Sequence, residues 1–138
     1  MNPVPVFGLP PYALALDMAV ADEIGGAPVI SMPFADKVQG RPGFVHGGAI
    51  SGLLEMAAVA AIHRALQIQG SDAAIKQVNV TIDFMRGGLA QATYAVGEVT
   101  RLGRTMANVE ARAWQGDKHK PIAMGQMHYL IRQAKPSS

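Results

Sequence analysis

Glu55 is the only ionisable side chain in the run Ala49-Ile50-Ser51-Gly52-Leu53-Leu54-Glu55-Met56-Ala57-Ala58-Val59-Ala60-Ala61-Ile62. A run that is apolar almost all round makes a helix buried on most of its sides. A carboxylate there is costly unless it is paired or neutralised. A low-dielectric setting also raises a carboxyl pKa toward the range useful to a general base or acid near neutral pH. Glu55 is therefore a candidate catalytic group. The competing reading puts it on an exposed stripe, or in an ion pair with an arginine at a subunit interface.

The stretch Gly43-Phe44-Val45-His46-Gly47-Gly48 lies directly before that run. Free N–H groups at a helix start, with the helix dipole behind them, stabilise negative charge. Glycines let a ligand carbonyl come close to those groups. A thioester carbonyl placed there would be polarised and its developing oxyanion held. The plain alternative is an ordinary loop-to-helix turn. Gly47 and Glu55 are eight residues apart, about 12 Å along a helix axis at about 1.5 Å per residue. That is too far for both to act on one carbon within one chain. If they serve one substrate, two chains contribute and the protein is a dimer.

The elements that must position these residues follow from the pattern. Pro10 and Pro11 open a short helix through Leu16, since proline is tolerated in a first turn. Two short strands, 17–23 and 27–32, flank a hairpin turn at Gly25-Gly26, and 33–42 is a loop. From Gly47 to about Gln69 there is no proline, and no glycine after Gly52. This is the one long helix, about 34 Å.

Everything beyond reads as strand. Val78, Val80, Ile82 and Phe84 alternate with Asn79, Thr81, Asp83 and Met85, a period of two. Strands then follow over 91–101, 105–115 and 118–131, separated by turns at Leu102-Gly103-Arg104 and Gly116-Asp117. Ala107, Val109, Ala111 and Ala113 share one face of their strand. Ala95, Gly97 and Val99 share a face of another, as do Ala123, Gly125 and Met127. Small residues on these faces let a curved sheet wrap tightly around an Ala-rich helix. Residues 134–138 read as a frayed tail. The fold class is α+β, one helix against a run of antiparallel strands.

Composition narrows the functions. The chain has 138 residues, 49% of them hydrophobic, which suits a single domain over residues 1–138. Only 6% are aromatic, so the core is built from small aliphatic side chains, and partner subunits are expected to add stability. A net charge of +2 gives no basic stripe for nucleic acid. No cysteine is present, which excludes thiolate catalysis and cysteine-ligated metal. His63, His119 and His128 lack ligand spacing with a second His or a carboxylate, so no metal is expected. The N-terminal stretch reads neither as a signal peptide nor as a membrane span, which leads us to expect a soluble cytoplasmic protein.

The segment His46-Gly47-Gly48-Ala49-Ile50-Ser51-Gly52-Leu53-Leu54-Glu55 resembles the HGG-x6-[D/E] signature of hotdog-fold acyl-CoA thioesterases. The similarity is to the PaaI-like phenylacetate-pathway enzymes and to the 4-hydroxybenzoyl-CoA thioesterase branch that uses glutamate. It extends over nearly the whole chain: Val78–Arg86 looks like the family's third strand, and Arg101-Leu102-Gly103-Arg104 like a later turn. The resemblance implies a curved antiparallel sheet around one long central helix, a homodimer with shared active sites, and pairing of dimers into a homotetramer. It implies acyl-CoA hydrolysis with no separate cofactor, CoA being part of the substrate. The Gly47 N–H would polarise the thioester carbonyl at a helix start that also includes Gly48. Glu55 of the other subunit would act as nucleophile or general base. His46, the motif histidine, is more often structural than a proton carrier.

Many relatives carry Asn or Gln seven residues before the first motif glycine, and that position is Gly40. Gln39 substitutes for it if the loop shifts by one. Gln77 falls where relatives place a polar residue at the reaction centre. Val59 stands where the glutamate branch can carry a hydroxyl, so no such helper is present. Arg86, Arg101 and Arg104 sit in or beside turns where the family binds CoA phosphates, a task suited to arginine's forked donors; the alternative is three solvated turn arginines. A non-catalytic acyl-CoA binder or sensor on the same fold is the second functional reading, supported by Gly40. A hotdog dehydratase would want an Asp/His pair at the helix start, and the sequence shows none.

Overall fold

The structure is a computed structural model and describes residues 8–133. The elements run α1 (Pro11–Ala15), β1 (Ala19–Ile24), β2 (Ala27–Met32), a 3-10 turn (Asp36–Val38), α2 (Gly47–Ile68), β3 (Ala74–Phe84), β4 (Thr93–Leu102), β5 (Met106–Trp114) and β6 (Ala123–Arg132). The expected order holds: two strands, one long helix, four strands. The tail from residue 134 lies outside the described residues.

All six strands form one antiparallel sheet in the order β1-β2-β4-β5-β6-β3. The β1–β2 hairpin turns on Gly25 and Gly26, with φ of 60° and 81°. Both central residues of this turn take the left-handed region that glycine enters without steric cost. By length and composition alone α2 could cross a membrane. Half of its 22 residues are buried, however, and it lies on the sheet as the core helix, packed across β2, β4 and β5.

The alternation along the strands explains that seat. Ala95, Gly97, Val99, Ala107, Val109, Ala111 and Ala113 share the inner face. A β-carbon at Gly97 would lie 2.8 Å from the Ala57 carbonyl oxygen and 3.0 Å from Ala58 Cα. Glycine there lets the helix backbone settle onto the sheet. Gly125 plays a different part. Its nearest neighbours are Met127 and Ile82 rather than the helix.

Three expected boundaries shift. The last strand begins at Ala123, not Lys118, because Pro121 has no N–H to give the ladder and 117–120 forms a turn. The strand after the helix begins at Ala74, and its strict alternation breaks at Val78. The pairing with β6 shifts between Gln77 and Asn79, so Gln77 opposes Tyr129 while Val80 opposes Met127. This bulge places Gln77, Val80 and Ile82 on the inner face and leaves Val78 out of the inner-facing series. The first strand starts at Ala19, because Asp17 adopts φ 58° and turns the chain.

The sheet is covered unevenly. β3 is an edge strand on which α2 barely encroaches, and almost all of its residues are exposed or half-exposed. Val78, Val80, Phe84, Met85 and Leu89 present apolar side chains to solvent along this edge and the loop beyond it.

Candidate active site

The loop before α2 ends in a side-chain cap. His46 is the N-cap residue, and its Nδ1 accepts a hydrogen bond from the Gly48 N–H at 2.8 Å. One otherwise unpaired donor of the first turn is thereby satisfied. Because Nδ1 accepts, the imidazole carries its proton on Nε2. A β-carbon at Gly48 would lie 2.9 Å from the imidazole, so the cap requires glycine there. The His46 N–H donates to the Val38 carbonyl at 2.7 Å, which fixes the loop to the helix start. Among the described residues, the Gly47 N–H has no acceptor. It is an open donor at the positive end of a 22-residue helix, oriented to stabilise negative charge. The Phe84 ring lies 3.6 Å from the position of a Gly47 β-carbon, so the far end of β3 reaches this helix start.

The same loop disposes of Gln39 and Gly40. The Gln39 Oε1 accepts from the Gly43 N–H at 2.9 Å. Its carbonyl oxygen is therefore engaged inside the loop. A β-carbon at Gly40 would lie 3.1 Å from His46 Cα, and the Gly40 N–H donates to the Phe44 carbonyl at 2.9 Å. A side chain at position 40 would press on the residue that caps the helix, which explains glycine at this point.

Two turns along α2, Glu55 is half-buried rather than sealed. It lies on the side of the helix turned toward β3, where the Gln77 Nε2 donates to its Oε1 at 3.0 Å. It makes no ion pair with an arginine among the described residues. Such a charge-assisted contact fixes the orientation of the carboxylate. Directly opposite Gln77 on β6 is Tyr129, whose ring is buried and whose hydroxyl has no hydrogen-bond partner. Burial, and then the charge of Glu55, push that phenol's pKa up. Tyr129 stays protonated and can only donate to an anion. Neither the Glu55–Gln77 contact nor the pairing of Gln77 with Tyr129 was derivable from spacing alone. The signal, visible once the Val78 bulge is known, is that Gln77 and Tyr129 share one inner-facing pair.

The three arginines are not gathered around Glu55. Arg86 follows β3 at the Phe84 end, near the helix start. Arg101 pairs with Asn108, level with Asn79 halfway along β3 but three strands across the sheet from it, about 14 Å at about 4.8 Å per strand. Arg104 lies beyond it in the β4–β5 turn, and all three are exposed. Arg64, near the end of α2, pairs with Glu23. A cavity of about 500 Å³ opens between the β1–β2 hairpin, the last turns of α2 and β4, lined by residues that include Ala61, Arg64, Gly97 and Arg112. It forms where the β2–β4 ladder ends at Val29 and Val96, and Glu55 is not part of it.

One long helix seated in a curved six-stranded antiparallel sheet is the hotdog fold. The chain belongs to the thioesterase superfamily, whose family model matches residues 42–122. The span takes in the helix-start loop, all of α2 and strands β3 to β5. A solved protein from Chromobacterium violaceum is 30% identical, with 91% of this chain and 85% of that one covered and a TM-score of 0.69. The BH2602 protein of Bacillus halodurans, solved with CoA, is similar at 19% identity over 90% of this chain and 80% of its own, with a TM-score of 0.77. A mutant form of thioesterase PA1618 from Pseudomonas aeruginosa is 19% identical over 89% and 86% of the two chains, with a TM-score of 0.75. No curated protein matches the sequence.

Proposed function

We propose that this protein hydrolyses an acyl-CoA thioester, aryl or fatty, to free CoA and a carboxylic acid. Membership of the thioesterase superfamily and the CoA in a structurally similar protein support this reaction class. The observation that carries it is local: an open Gly47 N–H at the start of α2, and a half-buried carboxylate on the same helix held by the Gln77 amide. The Gly47 N–H would receive the thioester carbonyl oxygen and stabilise the oxyanion as it forms. Glu55 would take a proton from an attacking water, whose oxygen bonds to the acyl carbon. Collapse of the oxyanion would then break the C–S bond and release CoA thiolate. As a nucleophile, Glu55 would instead form a mixed anhydride that water opens.

Because Gly47 and Glu55 are too far apart along one helix, each site would combine Gly47 of one subunit with Glu55 of another. The uncovered inner face of β3, and the exposed apolar side chains Val78, Val80 and Phe84 along that strand, are suited to burial by a second copy. Pairing of two such dimers into a tetramer remains part of the proposal. Arg101 and Arg104, far from Gly47 in their own chain, would meet CoA phosphates bound at a neighbour's site.

A non-catalytic acyl-CoA binder is the second reading, favoured by Gly40 and by the engagement of Gln39 within its loop. Release of CoA thiol from a panel of short, medium, long and aryl acyl-CoAs separates the two. Hydrolysis of at least one class supports the enzyme. Binding of CoA esters without any turnover supports the alternative.

A further inference from the structure

Among the described residues, Tyr129 is the one polar side chain in the core whose hydrogen-bonding group is sealed from solvent without a partner. A buried hydroxyl left unpaired is destabilising, and phenylalanine would fill the same volume without that cost. Its surroundings point to one acceptor. On the inner face, Tyr129 is flanked by Gln77 on β3 and Ala107 on β5, with Cβ atoms of such directly opposed pairs about 5 Å apart. Gln77 in turn holds only Oε1 of Glu55. The other titratable side chains on these strands, Lys76, Asp83, Glu110, Arg112, His128 and Arg132, occupy outer-facing positions of the alternation. On α2, His63 and Arg64 lie two turns or more beyond Glu55, and Arg64 pairs with Glu23. Glu55 is thus the anion that faces this hydroxyl.

We propose that Tyr129 is a positioning residue for Glu55: its hydroxyl, which no protein acceptor reaches, donates through one water to the carboxylate oxygen that Gln77 leaves open. With Gln77 on one oxygen and Tyr129 on the other, the carboxylate is fixed in orientation for its attack on water or on the acyl carbon. The raised pKa of the phenol, caused by burial and then by the Glu55 charge, keeps the proton on Tyr129 across the working pH range. The inference rests on Glu55 as the catalytic carboxylate.

The test is Tyr129→Phe, read in two ways. Carbon NMR of the Glu55 carboxyl, assigned by the signal lost in Glu55→Gln, should titrate at higher pH in Tyr129→Phe than in wild type. Loss of a donor to the charged form moves it in that direction. In turnover, kcat should fall about ten- to a hundredfold, the range for one hydrogen bond to a charged group. KM should change less, and the acid limb of the pH–rate profile should move to higher pH. An unchanged carboxyl titration overturns the proposal, and so does a wild-type kcat with a wild-type pH profile. Should Glu55→Gln retain full activity while the carboxyl titration still depends on Tyr129, the contact stands and the catalytic reading of Glu55 falls. If Tyr129→Phe does not fold, the wild-type protein carries the test. A slowly exchanging Tyr129 hydroxyl proton, lost in Glu55→Gln, supports the contact; one that persists unchanged overturns it.

Discussion

The two flanks of α2 are built for different tasks. Toward β2, β4 and β5 the helix presents Leu53, Leu54, Ala57, Ala58, Ala61 and Ile62, all buried, against the Ala and Gly positions of the sheet. Toward β3 it presents Glu55, and it leaves the edge strand nearly bare. One side is filled to van der Waals contact with apolar atoms. The other carries the inner face's polar groups, an unpaired strand edge and exposed apolar side chains. A helix that only had to stabilise a domain would gain by covering both sides. The open flank, with a carboxylate oriented by an amide, is where the proposed ligand and second copy would have room.

Substitutions on the two flanks should therefore fail in different ways. On the open side, Glu55→Ala should lower kcat by about a hundred- to ten-thousandfold, the span for removing a general base. Its unfolding free energy should stay within about 1 kcal/mol of wild type, since the site is half-buried and lined for function. A collapse in stability with little kinetic loss would make Glu55 structural and erase the contrast. Phe84→Asp places a charge on the bare face of β3. It should shift light-scattering mass toward the monomer, with activity falling in step, because a charge at an apolar interface costs several kcal/mol. A monomer with wild-type activity would break the shared-site reading.

If Glu55 is the proposed catalytic group, Gln77→Leu should cost about tenfold in kcat and leave KM nearly unchanged, since it removes one hydrogen bond to the Glu55 carboxylate. On the packed side, Gly97→Ala should leave kcat near wild type and lower stability by about 1–3 kcal/mol in chemical denaturation. Its methyl group would meet the Ala57 carbonyl oxygen at 2.8 Å.

The packed flank was largely legible in the sequence. A proline-free, Ala-rich run announces the helix, and the small residues at Ala95, Gly97 and Ala111 announce the face it rests on. The hairpin at Gly25-Gly26 follows from residue type alone. The open flank was only half legible. Glu55 and the glycines at the helix start stand out by type and spacing. The cap made by His46 and the contact of Gln77 with Glu55 depend on loop and strand geometry. The period-two alternation that groups Val78 with Val80, Ile82 and Phe84 breaks at a one-residue bulge between Gln77 and Asn79, and period-two reasoning has no means of locating a bulge. Tyr129 stayed hidden for the same reason, since its neighbours are set by register across strands. Extending the last strand back to Lys118 overlooked Pro121, whose missing N–H was in plain view.

The central claim is that Glu55 of one subunit works on a carbonyl held by Gly47 of another. Gly47→Pro removes the N–H alone, because proline is at home in the first helical position and His46 already has the extended backbone that precedes it well. Glu55→Ala removes the carboxylate alone. Each variant should be nearly inactive by itself. Mixed by co-refolding in equal amounts, they should recover about a quarter of wild-type activity, since random pairing gives one intact site in half of the dimers. No recovery, from mixed dimers shown to have formed, would place both groups in one chain's site and contradict the account.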